Sequence, residues 1–282
     1  MTLQTLILLG IQASILGTVF CYGLQATFHD ALHLVRHRGL LVRSLLSMFV
    51  VMPIAAIAIV GTLSLPRPTQ IVLIALAISP IPPMLPKKEG KAGGHASYGL
   101  GLMITMGLLA IVLSPLAAEL IGHYFNRSFD VDAVAVAKPV LLMIALPLAL
   151  GMAVRAWKPD VAARLARPLL IASTVLLVVC ALAIIASMSH ALWGLIGNHT
   201  LLAMFLFACI GLLAGHWLGG PVGDQRTVLA LSTASRHPAI ALAIAKGNFP
   251  DERFLAATVV LYLLVATITV LPYVQWRKRS SD

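Results

Sequence analysis

Apolar runs of about twenty residues, the length a bilayer demands of a spanning helix, recur from one end of this chain to the other. Inside lipid every backbone donor and acceptor must be satisfied within the structure, which admits only helices or closed barrels. No stretch shows the two-residue alternation of a barrel strand. Composition agrees, because 60% of the 282 residues are hydrophobic and only 11% are charged. The expectation is an all-α integral membrane protein embedded in a lipid bilayer.

The pattern predicts nine spans, at 3–25, 41–62, 69–94, 98–122, 138–156, 168–189, 199–219, 227–246 and 254–275. Connections are short, so residues 1–282 read as one membrane domain. Residues 1–24 lack a basic leader and a small-x-small cleavage site, and are read as a first span, not a removed signal peptide. Segment 26–39 places Phe28, Leu32 and Val35 on one face beside Arg36 and Arg38, the pattern of an amphipathic helix lying at the interface.

A net charge of +10 would suit a nucleic-acid partner, but the basic residues are scattered among short loops, so none is expected. With the N-terminus outside, twelve basic residues fall in inner loops, including Arg36, Arg43, Arg155 and Arg277. The outer loops hold five: Arg67, Arg127, Lys138, Lys246 and Arg253. That bias predicts a multi-pass inner-membrane protein with its N-terminus outside and its C-terminus in the cytoplasm. Trp157, Trp193, Trp217 and Trp276 fall near span ends, where indoles favour the headgroup zone. Cys21, Cys180 and Cys209 lie in apolar runs without paired spacing and read as small core residues.

Two spans are interrupted. The third reads Ser79-Pro80-Ile81-Pro82-Pro83-Met84-Leu85-Pro86-Lys87-Lys88-Glu89-Gly90, and its prolines break a continuous helix. The eighth contains Ser232-Thr233-Ala234-Ser235-Arg236-His237-Pro238, polar where apolar helix is expected. Irregular backbone at membrane depth is tolerated only when buried in protein or lining a cavity. Leu85-Pro86 precedes Ala92-Gly93-Gly94-His95 much as His237-Pro238 precedes Ala245-Lys246-Gly247-Asn248. The two lie five places apart in the span order, an odd step, so they cross the membrane in opposite senses. Paired broken helices of opposite sense are the sequence pointer to an inverted-repeat transporter with a midplane site.

At these residues the chain resembles the sodium/bile-acid symporter family, within the wider group that includes arsenite and auxin efflux carriers. The resemblance is strongest at the break of span eight with Ala239-Ile240-Ala241-Leu242-Ala243, and extends to Arg43-Ser44-Leu45-Leu46 and Leu113-Ser114-Pro115-Leu116. It implies a core domain crossed by the two broken helices and packed on a smaller panel domain. Panel-like helices would be 3–25 and 138–189, and core-like helices 41–122 and 199–275. Substrate would bind between the domains and be carried by a rocking or elevator-like motion. The chain departs from the sodium-coupled members in both breaks. Their second broken helix carries a Glu and a Gln-Asn pair, where Ser232, Arg236 and His237 stand here. Their Pro-Gly-Gly and Ser-Asn correspond to Pro80-Ile81-Pro82 and Leu85-Pro86, followed by Lys87 and Lys88. Sodium needs oxygen ligands, and these places have lost a carboxylate and two amides while gaining cations.

The candidate substrate-binding residues are therefore Arg236, His237, Ser232, Thr233, Ser235, Lys87, Lys88 and Pro86. An arginine in mid-span costs about 2.5–3.5 kcal/mol on insertion scales and normally faces a cavity or a partner. Each candidate also has a plainer reading. Arg236 would be a structural ion pair, and His237 a proton carrier or merely a replacement for an amide. Ser232, Thr233 and Ser235 would bond their own backbone. Lys87 and Lys88 would stand in a cytoplasmic loop, or in the inner half of span three with Glu89 pairing one of them. Glu119 reads as a headgroup-facing acid. His29, His33 and His37 read as a solvated face, since no third metal ligand follows the pattern. Gly211, Gly215 and Gly219 form a small-residue stripe for close helix packing.

The functional expectation is a secondary transporter of a small organic anion, a bile-acid-like compound, carboxylate or sulfonate, weakly or not at all dependent on sodium. The alternatives are an arsenite- or auxin-type efflux carrier and a non-transporting membrane sensor. An intramembrane hydrolase lacks a catalytic set here, so no enzyme and no cofactor are expected. The coupling ion, sodium or proton, stays open, as does a homodimer.

Overall fold

The computed structural model describes residues 3–125 and 129–279. Its first helices are α1 (Leu3–Gln25), the short α2 (Phe28–Ala31) and α3 (His33–Arg36), and α4 (Arg38–Thr62). There follow α5 (Arg67–Ile78), α6 (Leu85–Lys91), α7 (Ala96–Phe125), α8 (Ala133–Trp157) and α9 (Pro159–Ser187). The chain closes with α10 (Ser189–Leu195), α11 (Thr200–Leu218), α12 (Gly223–Ala234), α13 (Pro238–Asn248) and α14 (Leu255–Arg279). Among the described residues, eight helical stretches are long and apolar enough to cross a bilayer, taking α12 with α13 as one. The short apolar α5, continued by α6, supplies a ninth crossing. The protein is an all-α integral membrane protein.

Proline decides where several helices start. Pro68, Pro86, Pro159 and Pro238 each stand in the first turn of α5, α6, α9 and α13, where the missing N–H has no helical partner to lose. Pro159 accordingly starts α9 well before residue 168, and the helix runs through Pro168 instead of beginning there. Within α4, Pro53 cannot donate to the preceding turn, and residues Leu46–Val51 widen into a π-helical stretch. α8 repeats the device, with Val140–Ala145 ahead of Pro147.

The interfacial segment differs from the single helix expected over 26–39. Thr27 caps α2 in a capping box with Asp30, but the chain leaves helical geometry at Leu32 and again at His37. Phe28, Leu32 and Val35 are exposed, as an interfacial face requires, whereas Leu34 is buried. Arg127 lies outside the described residues.

α1 packs along α8 and α9, and α9 turns Ile171, Val175, Val178 and Leu182 outward, the lipid-facing side of this layer. The remaining long helices surround α5, which is buried at every position from Ile71 to Ile78. The main apolar core joins Met52, Leu73, Leu76, Met204, Phe207 and Tyr262 from α4, α5, α11 and α14. Gly211, Gly215 and Gly219 press α11 onto α12: a Cβ on Gly211 would sit 2.7 Å from Ala234 Cα, and one on Gly215 would strike the Leu229 carbonyl. The glycine stripe is thus a packing seam, and it seats the first half of the second broken helix.

Candidate functional site

Both interruptions rest on the same local chemistry. Ser79 and His237 each precede a proline, which disfavours helical geometry, and both are extended at ψ 151° and 106°. Span three is unwound over residues 79–84, and Pro86 belongs to the first turn of α6. Span eight is unwound only over Ser235–His237. Ser232, Thr233 and Ala234 stay helical because nothing before Pro238 breaks the ladder. α5 packs on α13 and α6 on α12, so the two broken helices run antiparallel. They cross at the breaks themselves, where His237 N–H donates to Pro80 O at 2.8 Å.

A broken helix exposes carbonyls at the C-terminal end of its first half, and each needs a donor. Ser79 Oγ donates to Leu76 O at 2.8 Å, and Ser114 Oγ of α7 donates to Ile78 O at 2.6 Å. Tyr262 Oη of α14 donates to Ala234 O at 2.9 Å. Two further acceptors fall to Arg236. Its guanidinium is wholly buried and donates to Ser79 O at 3.2 Å and to Met48 O, in the π-helical stretch of α4, at 3.0 Å. The C-terminal ends of α5 and α12 meet here, and helix C-termini carry partial negative charge. The crossing therefore calls for a cation, and Arg236 supplies one through a covalent bond to the chain.

The other candidates divide into two groups. Beside the crossing, Ser47 and Thr233 hydroxyls lie 2.7 Å apart, and Ser235 is half-buried with its N–H on Ser232 O. His237 is buried and caps α13, its Nδ1 facing Ile240 N–H at 3.4 Å. Lys87 and Lys88 stand in α6, not in a loop, and both are half-buried. Lys87 points away from the crossing: its Nζ donates to Thr174 Oγ1 of α9 at 2.6 Å, and its N–H reaches Tyr22 Oη of α1 at 3.2 Å. It faces the seam between the α1–α8–α9 layer and the broken helices.

Glu89 does not pair with a neighbouring lysine. It is buried and accepts from Ser232 Oγ at 2.5 Å, so a carboxylate from the first broken helix faces the serine of the second. Tyr22, Met48 and Tyr262 had no sequence signal of their own. Met48 acts through its carbonyl, and Pro53 five residues on is the one hint that this carbonyl is freed. Ser44, in one of the family-like motifs, binds Tyr98 Oη at 2.8 Å. Glu119 is exposed, as a headgroup-facing acid should be. His33 is not on a solvated face: it is buried, with ring centroids 4.2 Å from His37 and 5.0 Å from His95. The three cysteines are free, and they lie on α1, α9 and α11, away from both breaks.

A polytopic helical protein with two antiparallel broken helices crossing at their unwound segments defines a class, that of membrane carriers built from inverted repeats. The chain belongs to the sodium bile acid symporter family, whose model matches residues 14–194. That match includes the first break and ends ahead of α12, so Ser232, Arg236 and His237 lie beyond it. A comparison with individual curated proteins gave no match.

Proposed function

We propose that the protein is a secondary transporter of a small organic anion that works by alternating access and depends weakly or not at all on sodium. In this reading the α1–α8–α9 layer is the panel and the remaining long helices the moving core. The N-terminus lies outside and the C-terminus in the cytoplasm. The anion binds between the two, with Lys87 at the seam and Arg236 setting positive charge behind it. The observation that carries the reading is the buried Arg236 guanidinium on the Ser79 and Met48 carbonyls. A sodium ion would bind carbonyl oxygens of this kind, and a fixed guanidinium already satisfies them. Lysine keeps the charge but not the planar fork, so it serves two separate carbonyls less well.

The test is uptake of radiolabelled carboxylates and sulfonates by proteoliposomes. Arg236→Gln, at equal incorporation and with a monodisperse elution profile, should lower uptake at least about tenfold, the effect of about 1.4 kcal/mol. Arg236→Lys should keep a measurable fraction, and exchanging sodium for choline should leave the wild type nearly unchanged. Normal uptake by Arg236→Gln, or a steep saturable sodium requirement, would overturn the reading.

A further inference from the structure

Glu89 is the acid that the crossing does not otherwise account for. Its Oε1 accepts from Ser232 Oγ, while its Oε2 is buried and has no hydrogen-bond partner among the described residues. No lysine or arginine among the described residues lies within ion-pair distance of it, although Lys87, Lys88 and Lys91 share its helix. The groups facing it from neighbouring elements are the Tyr22 phenol of α1, the Tyr98 phenol of α7 and the Ser232 hydroxyl of α12. None of these is charged near neutral pH. Arg236 stands one turn beyond Ser232, on the other side of the chain's departure from helix. The backbone of α7 makes room for the free oxygen, because a Cβ on Gly99 would strike Oε2. A carboxyl with one oxygen bonded and the other held open in a buried niche is suited to exchange a proton, since no ion pair has to be broken.

We propose that Glu89 is the proton-binding group of the transport cycle, so that the protein carries its anion together with a proton. The proposal rests on the transport reading given above. Protonation joins H⁺ to Glu89 Oε2 and removes one negative charge from the interior that also holds the permanent charge of Arg236, so the anion binds better to the protonated carrier. Reciprocity then requires that bound anion favour proton binding by the same factor. His237 serves less well, because its Nδ1 faces Ile240 N–H as the cap of α13 and protonation there would undo the cap.

Infrared difference spectra of the full-length protein in lipid, recorded across a pH titration without any anion, read this group directly. A buried carboxylic acid band should appear as the pH falls, shift in Ser232→Ala and vanish in Glu89→Gln, while the exposed Glu119→Gln leaves it in place. Gly99→Ala, which crowds Oε2 without replacing the acid, should move the midpoint of the same band. In proteoliposomes, wild-type uptake should fall by up to about tenfold per pH unit above the midpoint, the limiting slope for one proton. Glu89→Gln should lose that slope and His237→Gln should keep it. A band unchanged by Glu89→Gln, or a slope retained in Glu89→Gln and lost in His237→Gln, overturns the proposal and leaves anion transport standing. Absence of uptake by the wild type, with the band present, counts against the transport reading instead.

Discussion

A guanidinium without access to solvent and without a carboxylate partner takes backbone carbonyls as acceptors, and an interrupted helix frees carbonyls at the end of its first half. Arg236 was legible in the sequence as a cation inside an apolar run, but its acceptors were not, because a backbone carbonyl has no letter of its own. Glu89 was legible as an acid and misread as a lysine partner, since sequence neighbours on one short helix point to different sides. His29 and His37 are exposed as expected, but His33 was misread for a related reason: His95, which packs against it, arrives from far along the chain. Burial first, and then the imidazoles of His37 and His95 with that of His29, hold the pKa of His33 below its usual 6.5, against the pull of Asp30. His33 thus binds fewer protons folded than unfolded. Its contribution to stability is present above pH 6.5 and is lost as the pH falls toward its lowered folded value. Melting temperature should drop on acidification through that window, and His33→Gln should flatten the dependence. Parallel curves for the two proteins would show that the cluster is electrostatically silent.

At the scale of elements, the long helices were readable because apolar length is a one-dimensional signal, and the breaks because proline acts on its own neighbourhood. What the sequence could not supply was the depth of each break. The prolines of span three unwind residues 79–84, whereas Ser232 and Thr233 of span eight remain helical and only Ser235 falls in the break. Polarity alone does not break a helix when hydroxyls find partners, as Thr233 does on Ser47. The glycine stripe of α11 makes the seating of α12 testable. Gly215→Ala would drive a Cβ into Leu229 O, while Gly247, with nothing within 4 Å, would meet open space. We expect Gly215→Ala to destabilise by about 1–3 kcal/mol, the usual result of overpacking. Gly247→Ala should be neutral or stabilise by about 0.5–1 kcal/mol. Thermal melts of the two purified variants compare them, and equal melting temperatures would remove the seam from the argument.

For the whole molecule, the proposed topology has nine crossings, an odd number that would place the two termini on opposite sides of the membrane. On that proposal the charge bias favours Arg277, Lys278 and Arg279, at the end of α14, on the cytoplasmic side. A fluorescent reporter fused after Asp282 should glow, and a phosphatase in the same place should be inactive; the reverse pair of results would invert the map. The layering was less legible than the crossings, because Tyr22, Lys87 and Thr174 meet only when three distant helices assemble. The position of Arg236 has a last consequence, for voltage. A charge that belongs to the chain makes every transit, loaded or empty, and one unit charge through 100 mV is worth about 2.3 kcal/mol. With Glu89 ionised, its charge and that of Arg236 sum to zero in the empty carrier; with Glu89 protonated, the bound anion offsets the guanidinium instead. On the proposed cycle the buried groups then contribute no net charge to either transit. Accumulation would follow the pH difference and continue in a cell whose membrane potential had collapsed.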